Sequence, residues 1–311
     1  MLLGAILALF GSSIAASAQY PPPQPPQQPP PNYPQGQQPY PAPAPGQQPY
    51  PAQPGYANPA PPPPMAPQQL DALVGRIALY PDPLLAQTLT ASTFWADIPA
   101  AAGWADQHSA MTGDALTQAV QEDQLPWDPS ILGLLPFPSV LDTMARDPDW
   151  TQQLGAAVLT QRPDVMDAVQ RDRAQAYNYG YLRPNQYDNV VYADGSYQIL
   201  PVGAGFYYVP VYNPGVVFVR PRPGFFVGGA ISFGPRVVIG AGFVSAGFWA
   251  GPSIAWASHG IYVGGAPWGR TWANRGGYNH PYPHPVVRPA GPQVERHPVQ
   301  PRGHEERRPP L

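Results

Sequence analysis

The sequence predicts an α+β protein: a compact bundle of short α-helices, then a small Gly-rich antiparallel β unit, flanked by disordered Pro-rich segments. Three observations carry this. Residues 19–67 are almost wholly Pro, Gln, Tyr, Ala and Gly, and that composition stops abruptly. Between 68 and 176, apolar residues recur three and four apart behind Asp-Pro pairs, the spacing of amphipathic helices. Between 177 and 272 the pattern turns to alternating apolar residues broken by Gly and Pro, as in short strands. The chain therefore reads as a signal peptide (1–18), a spacer (19–67), a helical domain (68–176), a Gly-rich β region (177–272) and a basic Pro/His tail (273–311).

The first segment has an apolar run from Leu2 to Phe10 followed by Ala16-Ser17-Ala18, an A-x-A pattern that predicts export and cleavage before Gln19. The run is too short for a membrane-spanning helix. With no cysteine, disulfides, thiolate metal sites, Cys nucleophiles and a lipid-modified Cys are all excluded. The expected address is periplasmic, secreted or peripheral to the cell envelope.

The spacer repeats Gly36-Gln37-Gln38-Pro39-Tyr40-Pro41-Ala42 as Gly46-Gln47-Gln48-Pro49-Tyr50-Pro51-Ala52. Proline fixes φ and removes backbone donors, so a polyproline II chain is expected here in place of helix or sheet, with a reach of up to about 150 Å. It serves either as a passive spacer or as a ligand for a groove that recognises polyproline II.

Asp82-Pro83, Asp128-Pro129 and Asp147-Pro148 each predict a helix start, with Asp as N-cap and Pro at the first helical position. Leu70, Leu73, Val74 and Ile77 open the apolar pattern, and Val165, Met166 and Val169 close it. Seven or eight short helices follow, with Trp95, Trp104, Trp127 and Trp150 as core packing. The close carboxylates, Glu122-Asp123 and Asp147/Asp149, fall at helix boundaries, where capping explains them more simply than acid–base chemistry.

Charge is unevenly shared. Residues 68–167 hold thirteen acids against three arginines, whereas residues 168–311 hold thirteen arginines against six acids. All 16 basic residues are Arg. The basic end suits an anionic surface or the chain's own acidic domain.

In the β region, Tyr207-Tyr208-Val209 and Val216-Val217-Phe218-Val219 read as strands. Phe225–Phe233 and Val237–Phe243 read as a hairpin about Gly234-Pro235, with Gly240 and Gly242 on a smooth face that lets another backbone approach. Ser253–Ala257 and Ile261–Gly264 read as a second hairpin. Gly240 and Gly242 lack the third Gly and following helix of a phosphate loop. The glycines and Pro252 argue against a membrane helix across Val237–Trp256. Beyond it, Trp268, Arg270, Trp272, Arg275 and Tyr278 interleave aromatics with Arg, a composition that stacks on sugar rings, and they form the candidate partner surface. His280 and His284 are separated by Pro and make no helical metal face.

Leu70-Asp71-Ala72-Leu73-Val74-Gly75-Arg76-Ile77-Ala78-Leu79-Tyr80-Pro81-Asp82-Pro83-Leu84-Leu85-Ala86-Gln87 resembles the opening of the bacterial domain-of-unknown-function family 3300. Trp127-Asp128-Pro129-Ser130, Asp149-Trp150-Thr151-Gln152-Gln153-Leu154-Gly155 and Tyr208-Val209-Pro210-Val211-Tyr212-Asn213-Pro214 are similar to later segments of it. The resemblance implies an exported bacterial envelope protein and brings no catalytic residues with it.

The functional expectation is a non-catalytic structural or interaction module that needs no cofactor or metal. Its partners are expected to be an envelope surface, polysaccharide or another envelope protein, and not nucleic acid, with no transmembrane helix after cleavage and with oligomerisation through the Gly-rich β region. One alternative is a cell-wall polysaccharide-binding or hydrolysing protein; hydrolysis needs two carboxylates converging in a cleft, for example Asp128 with Asp97 or Asp106. Another is a self-assembling β protein.

Overall fold

The computed structural model describes residues 59–222 and 229–278. Expectations for the signal segment, most of the spacer, Phe225, Val227 and the tail from 279 onward lie outside the described residues.

Among the described residues, eight helices lead: α1 (Pro67–Val74), α2 (Asp82–Ser92), α3 (Ile98–Gln107), α4 (Gly113–Glu122), α5 (Pro129–Leu132), α6 (Pro138–Arg146), α7 (Pro148–Thr160) and α8 (Arg162–Asn178). The Asp-Pro signals act as expected at two of the three sites. Asp128 accepts from Ser130 N at 2.8 Å to cap α5, and Asp147 accepts from Trp150 N at 3.1 Å to cap α7. At the third, Pro81 is the N-cap and Asp82 lies inside α2, where its carboxylate serves the interior instead. Trp150 is buried and donates its indole N–H to Leu73 O at 2.8 Å, while Trp95, Trp104 and Trp127 pack half-buried against the core.

Helix α2 is buried along almost its whole length and is the axle of the bundle. Gly155 of α7 lets the two helices touch: a Cβ there would sit 2.1 Å from Ser92 O. Threonine and serine hydroxyls on α2 return to backbone carbonyls of their own helix, so their burial leaves no unmet donor.

The chain then forms an antiparallel hairpin, β1 (Asp188–Ala193) and β2 (Ser196–Pro201), with Asp188 opposite Pro201. Its turn, Asp194-Gly195, has positive φ at both positions, the tight type that matches strand twist. Strand β3 (Phe206–Tyr207) pairs with β6 (Val237–Val238), and β4 (Pro210–Tyr212) pairs with β5 (Ile231–Phe233). Between these two ladders one strand uses a residue more than the other, so they are two halves of one ladder broken by a bulge at Gly234-Pro235.

This corrects the expected hairpin about Gly234-Pro235. Both flanks pair with 206–212 and not with each other, because Pro235 offers no N–H and the bulge carries the chain straight on. Two further strands are also corrected. Val216 and Val217 lie in the helical turn α9 (Pro214–Val217), capped by Asn213, whose Oδ1 accepts from Gly215 N at 2.9 Å. Residues 241–245 form α10 (Ala241–Ser245), which buries Phe243. The smooth Gly face behaves as read: a Cβ on Gly240 would lie 3.0 Å from Gly113 Cα, so this backbone seats directly on α4.

The second hairpin forms as expected, from β7 (Ser253–Ala255) and β8 (Gly260–Val263), with a 3₁₀ turn at Trp256–Ser258 between them and β9 (Ala266–Pro267) on the far edge. Tyr207, Phe243, Trp249, Trp256, Ile261 and Trp268 share one core with Leu85, Leu89, Phe137 and Leu141 of the bundle. The strands therefore complete the helical core. A second, smaller cluster holds Leu79, Ala176, Leu182, Ile199 and Val217. Among the described residues, no helix is long and apolar enough to cross a membrane.

Candidate functional site

The side chain that fixes the site is Arg173, fully buried on α8. Its guanidinium donates through Nε to Ala78 O at 2.8 Å, through Nη2 to Tyr80 O at 2.9 Å, and through Nη1 to Tyr197 O at 2.8 Å and Asp82 Oδ1 at 2.6 Å. Asp82 also accepts from Ile199 N at 3.3 Å and, on Oδ2, from the Trp256 indole at 2.8 Å. Two buried charges are tolerable only when their remaining hydrogen-bonding positions are filled, as they are here. The cluster ties α2, α8, β2 and the turn after β7 at one point.

Beside this cluster opens a groove of about 910 Å³ between the 180–188 segment, the β1–β2 hairpin and the β4–β5 ladder. Leu79 and Ile199 lie at its base, in the smaller apolar cluster. Tyr187 and Phe233 meet on its wall, ring centroids 4.4 Å apart and tilted by 34°, both half-buried. Arg183, Asn185 and Gln186 stand exposed on its rim. The Asn185 side chain fixes the turn into β1, its Oδ1 accepting from Tyr187 N at 2.8 Å and Asp188 N at 3.0 Å.

Asp188 also lines the groove. It is 3% exposed, and its Oδ1 has no hydrogen-bond partner among the described residues. Burial pushes its carboxyl up to about 7, with the nearby Arg173 charge pulling the other way. The arrangement offers a ligand apolar and aromatic contact, amide and guanidinium groups at the rim, and a carboxyl able to donate or accept.

The five residues expected as a partner surface are distributed differently. Trp268 and Arg270 are inside the protein, which corrects their expected exposure. Arg162 stacks on Trp268 at 4.5 Å, and Arg270 stacks on Phe94 at 3.7 Å while donating to Thr93 O at 2.6 Å. Aromatic and Arg side chains satisfy one another in the same protein as readily as they satisfy a partner, and composition does not separate the two cases. Trp272, Arg275 and Tyr278 are half-exposed: Arg275 lies over the Trp272 ring at 3.8 Å, and the Tyr278 hydroxyl accepts from Gly269 N at 2.8 Å. None of the five lies in the groove. Asp188 was legible only indirectly, through the Asp194-Gly195 hairpin signal that sets the register of β1.

The chain belongs to the family described as "Protein of unknown function (DUF3300)", whose model matches residues 66–265. It is also similar to "Uncharacterized protein YacH" of Escherichia coli (strain K12), 42% identical over 123 residues, which is 40% of this chain and 20% of the relative. The match thus spans about a fifth of that relative's length. No solved structure matches.

Proposed function

We propose that this is an exported envelope protein acting as a non-catalytic interaction module, and that it engages its partner through the groove beside Arg173. The observation that carries the reading is the groove itself: about 910 Å³, with an aromatic wall, a polar rim and an apolar base. Concave, mostly apolar sites with a few convergent polar groups are the usual form of a binding site. The base is held by the buried Arg173–Asp82 pair, so the groove is built before any ligand arrives. Export rests on the leader-like run Leu2–Phe10 and the small residues that follow.

A second reading, binding of cell-wall polysaccharide, is favoured by one feature: Tyr187 and Phe233 as a stacking wall beneath the amides of Asn185 and Gln186. Titration of the full chain with soluble wall fragments, followed by calorimetry, separates the outcomes. Saturable binding that Tyr187→Ala weakens about tenfold, with fragments recovered intact, supports the polysaccharide reading. Fragments cleaved at a rate that Asp188→Asn abolishes would overturn the non-catalytic reading. Fractionation of native cells tests the address, and recovery in the cytoplasmic fraction would sink it.

A further inference from the structure

The end of the proline-rich segment is described, and it is seated on the protein. Trp272 donates its indole N–H to Pro59 O at 2.8 Å. Six residues on, Met65 N donates to Gln161 Oε1 at 2.7 Å, and Gln161 Nε2 returns to Met65 O at 3.2 Å. Between these anchors, Pro62 and Pro63 face Trp95, Gln152 and Gln153 across an open space of about 300 Å³.

The groups used are those that a proline run makes readable. Proline carries no N–H, so its carbonyls are left for an outside donor, and an indole N–H is such a donor. Each residue that precedes a proline is confined to extended backbone, so Ala60–Pro63 is preset as polyproline II, and Ala66, before Pro67, is extended likewise at φ −68°, ψ 156°. Gln161, 8% exposed at the start of α8, pairs both ways with Met65, the first residue after the run that has an N–H. The reader residues are themselves fixed. Trp272 N donates to Leu159 O at 3.1 Å, Arg275 covers its ring, and Trp95 is wedged against Gly155, where a Cβ would stand 2.9 Å from the indole.

We propose that this groove is a recognition site for polyproline II segments, held in cis by Pro59–Met65, and that its occupant in trans is the proline-rich segment of a second copy of this chain. Two observations choose that occupant. The resident opens with Pro59-Ala60-Pro61, and Pro-Ala-Pro recurs at 41–43 and 43–45. Residues 19–67 contain no charged side chain, and the groove that would receive them is lined by the indoles of Trp95 and Trp272, by Ala156, Ala157 and Thr160, and by the neutral amides of Gln152, Gln153 and Gln161, with Asp149 as its one charged residue among those described. Because recognition uses carbonyls, pyrrolidine rings and the first backbone N–H after the run, and no particular side chain, one such run can replace another. Copies can then join by exchange, with no rearrangement of the folded core.

The test uses a fluorescent peptide of residues 39–48 titrated onto the full chain by anisotropy, with sedimentation velocity of the full chain alone. Expected are saturable binding, at least tenfold weakening by Trp272→Phe and by Gln161→Ala, and several-fold strengthening by Pro62→Gly with Pro63→Gly, which loosens the resident. Trp272→Phe keeps an aromatic ring but loses the indole N–H together with the fused five-membered ring, and an unchanged melting temperature shows that its effect is not unfolding. The full chain should also dimerise with concentration, less so as Trp272→Phe. Absent peptide binding in both the native chain and the loosened variant overturns the site. Binding indifferent to Trp272→Phe overturns it too. Peptide binding by a chain that stays monomeric at every concentration overturns the second copy as occupant and points to another proline-rich protein.

Discussion

Asp82 and Trp256 stand 174 positions apart, and the indole N–H of Trp256 donates to Asp82 Oδ2 at 2.8 Å in the buried interior. That bond joins the start of α2 to the turn after β7, and Arg173 closes the same carboxylate from α8. Helical and β-rich parts therefore share one polar centre as well as one apolar core.

Removing either charge leaves the other buried and alone. Asp82→Asn and Arg173→Leu are each expected to destabilise the fold by about 3–5 kcal/mol. Trp256→Phe keeps an aromatic ring but loses the donor and the smaller ring of the indole, for about 1–3 kcal/mol. Urea unfolding followed by circular dichroism measures all three, and equal losses for Trp256→Phe and Asp82→Asn would contradict this ordering.

Stability should fall as pH rises from about 4 to about 8. Burial raises the Asp188 carboxyl to about 7 and, with help from the neighbouring Asp71, Asp172 to about 8. In the unfolded chain both ionise near the ordinary Asp value of about 3.9, so over this interval the folded state holds the extra protons and loses ground as pH increases. Thermal melts at pH 5 and pH 8 should differ by several degrees, and Asp172→Asn with Asp188→Asn should flatten the slope. A slope unchanged by both substitutions refutes the assignment.

Gly155 and Gly103 are expected to respond in opposite directions to alanine. At Gly155 the added methyl collides with the Trp95 ring and with Ser92 O, a backbone atom of α2 that cannot yield without parting α2 from α7. The loss should reach the upper end of the overpacking range, about 3 kcal/mol. Gly103 lies exposed within α3 with no neighbour among the described residues within 4 Å of where a Cβ would stand, and Gly103→Ala should gain roughly 0.5–1 kcal/mol from helix propensity. Chemical denaturation of the pair decides it.

Arg270 pins the 268–278 segment through Thr93 O and Arg275 O. Arg270→Ala should cost about 1–3 kcal/mol. Hydrogen exchange followed by mass spectrometry should show protection lost first at 268–278 and at Met65, because Trp272 and Gln161 hold the two ends of one clasp. Protection lost evenly through the bundle would argue against it.

The sequence by itself determined the local structure. Asp-Pro pairs capped α5 and α7, apolar spacing marked the bundle, and Ser253–Ala255 paired with Gly260–Val263 as alternation required. These features depend on neighbours a few residues away, and a string of residues displays them. The tertiary structure decided what depends on distant partners. It made Asp82 an ion-pair member and not a cap, paired 231–238 with 206–212, and turned Trp268 and Arg270 inward. It also placed Asp188 in a groove and set Trp272 against the chain's own Pro59. A buried charge, a short strand or an exposed indole finds its partner only when the fold brings one within about 3 Å, and nothing in local sequence encodes that distance.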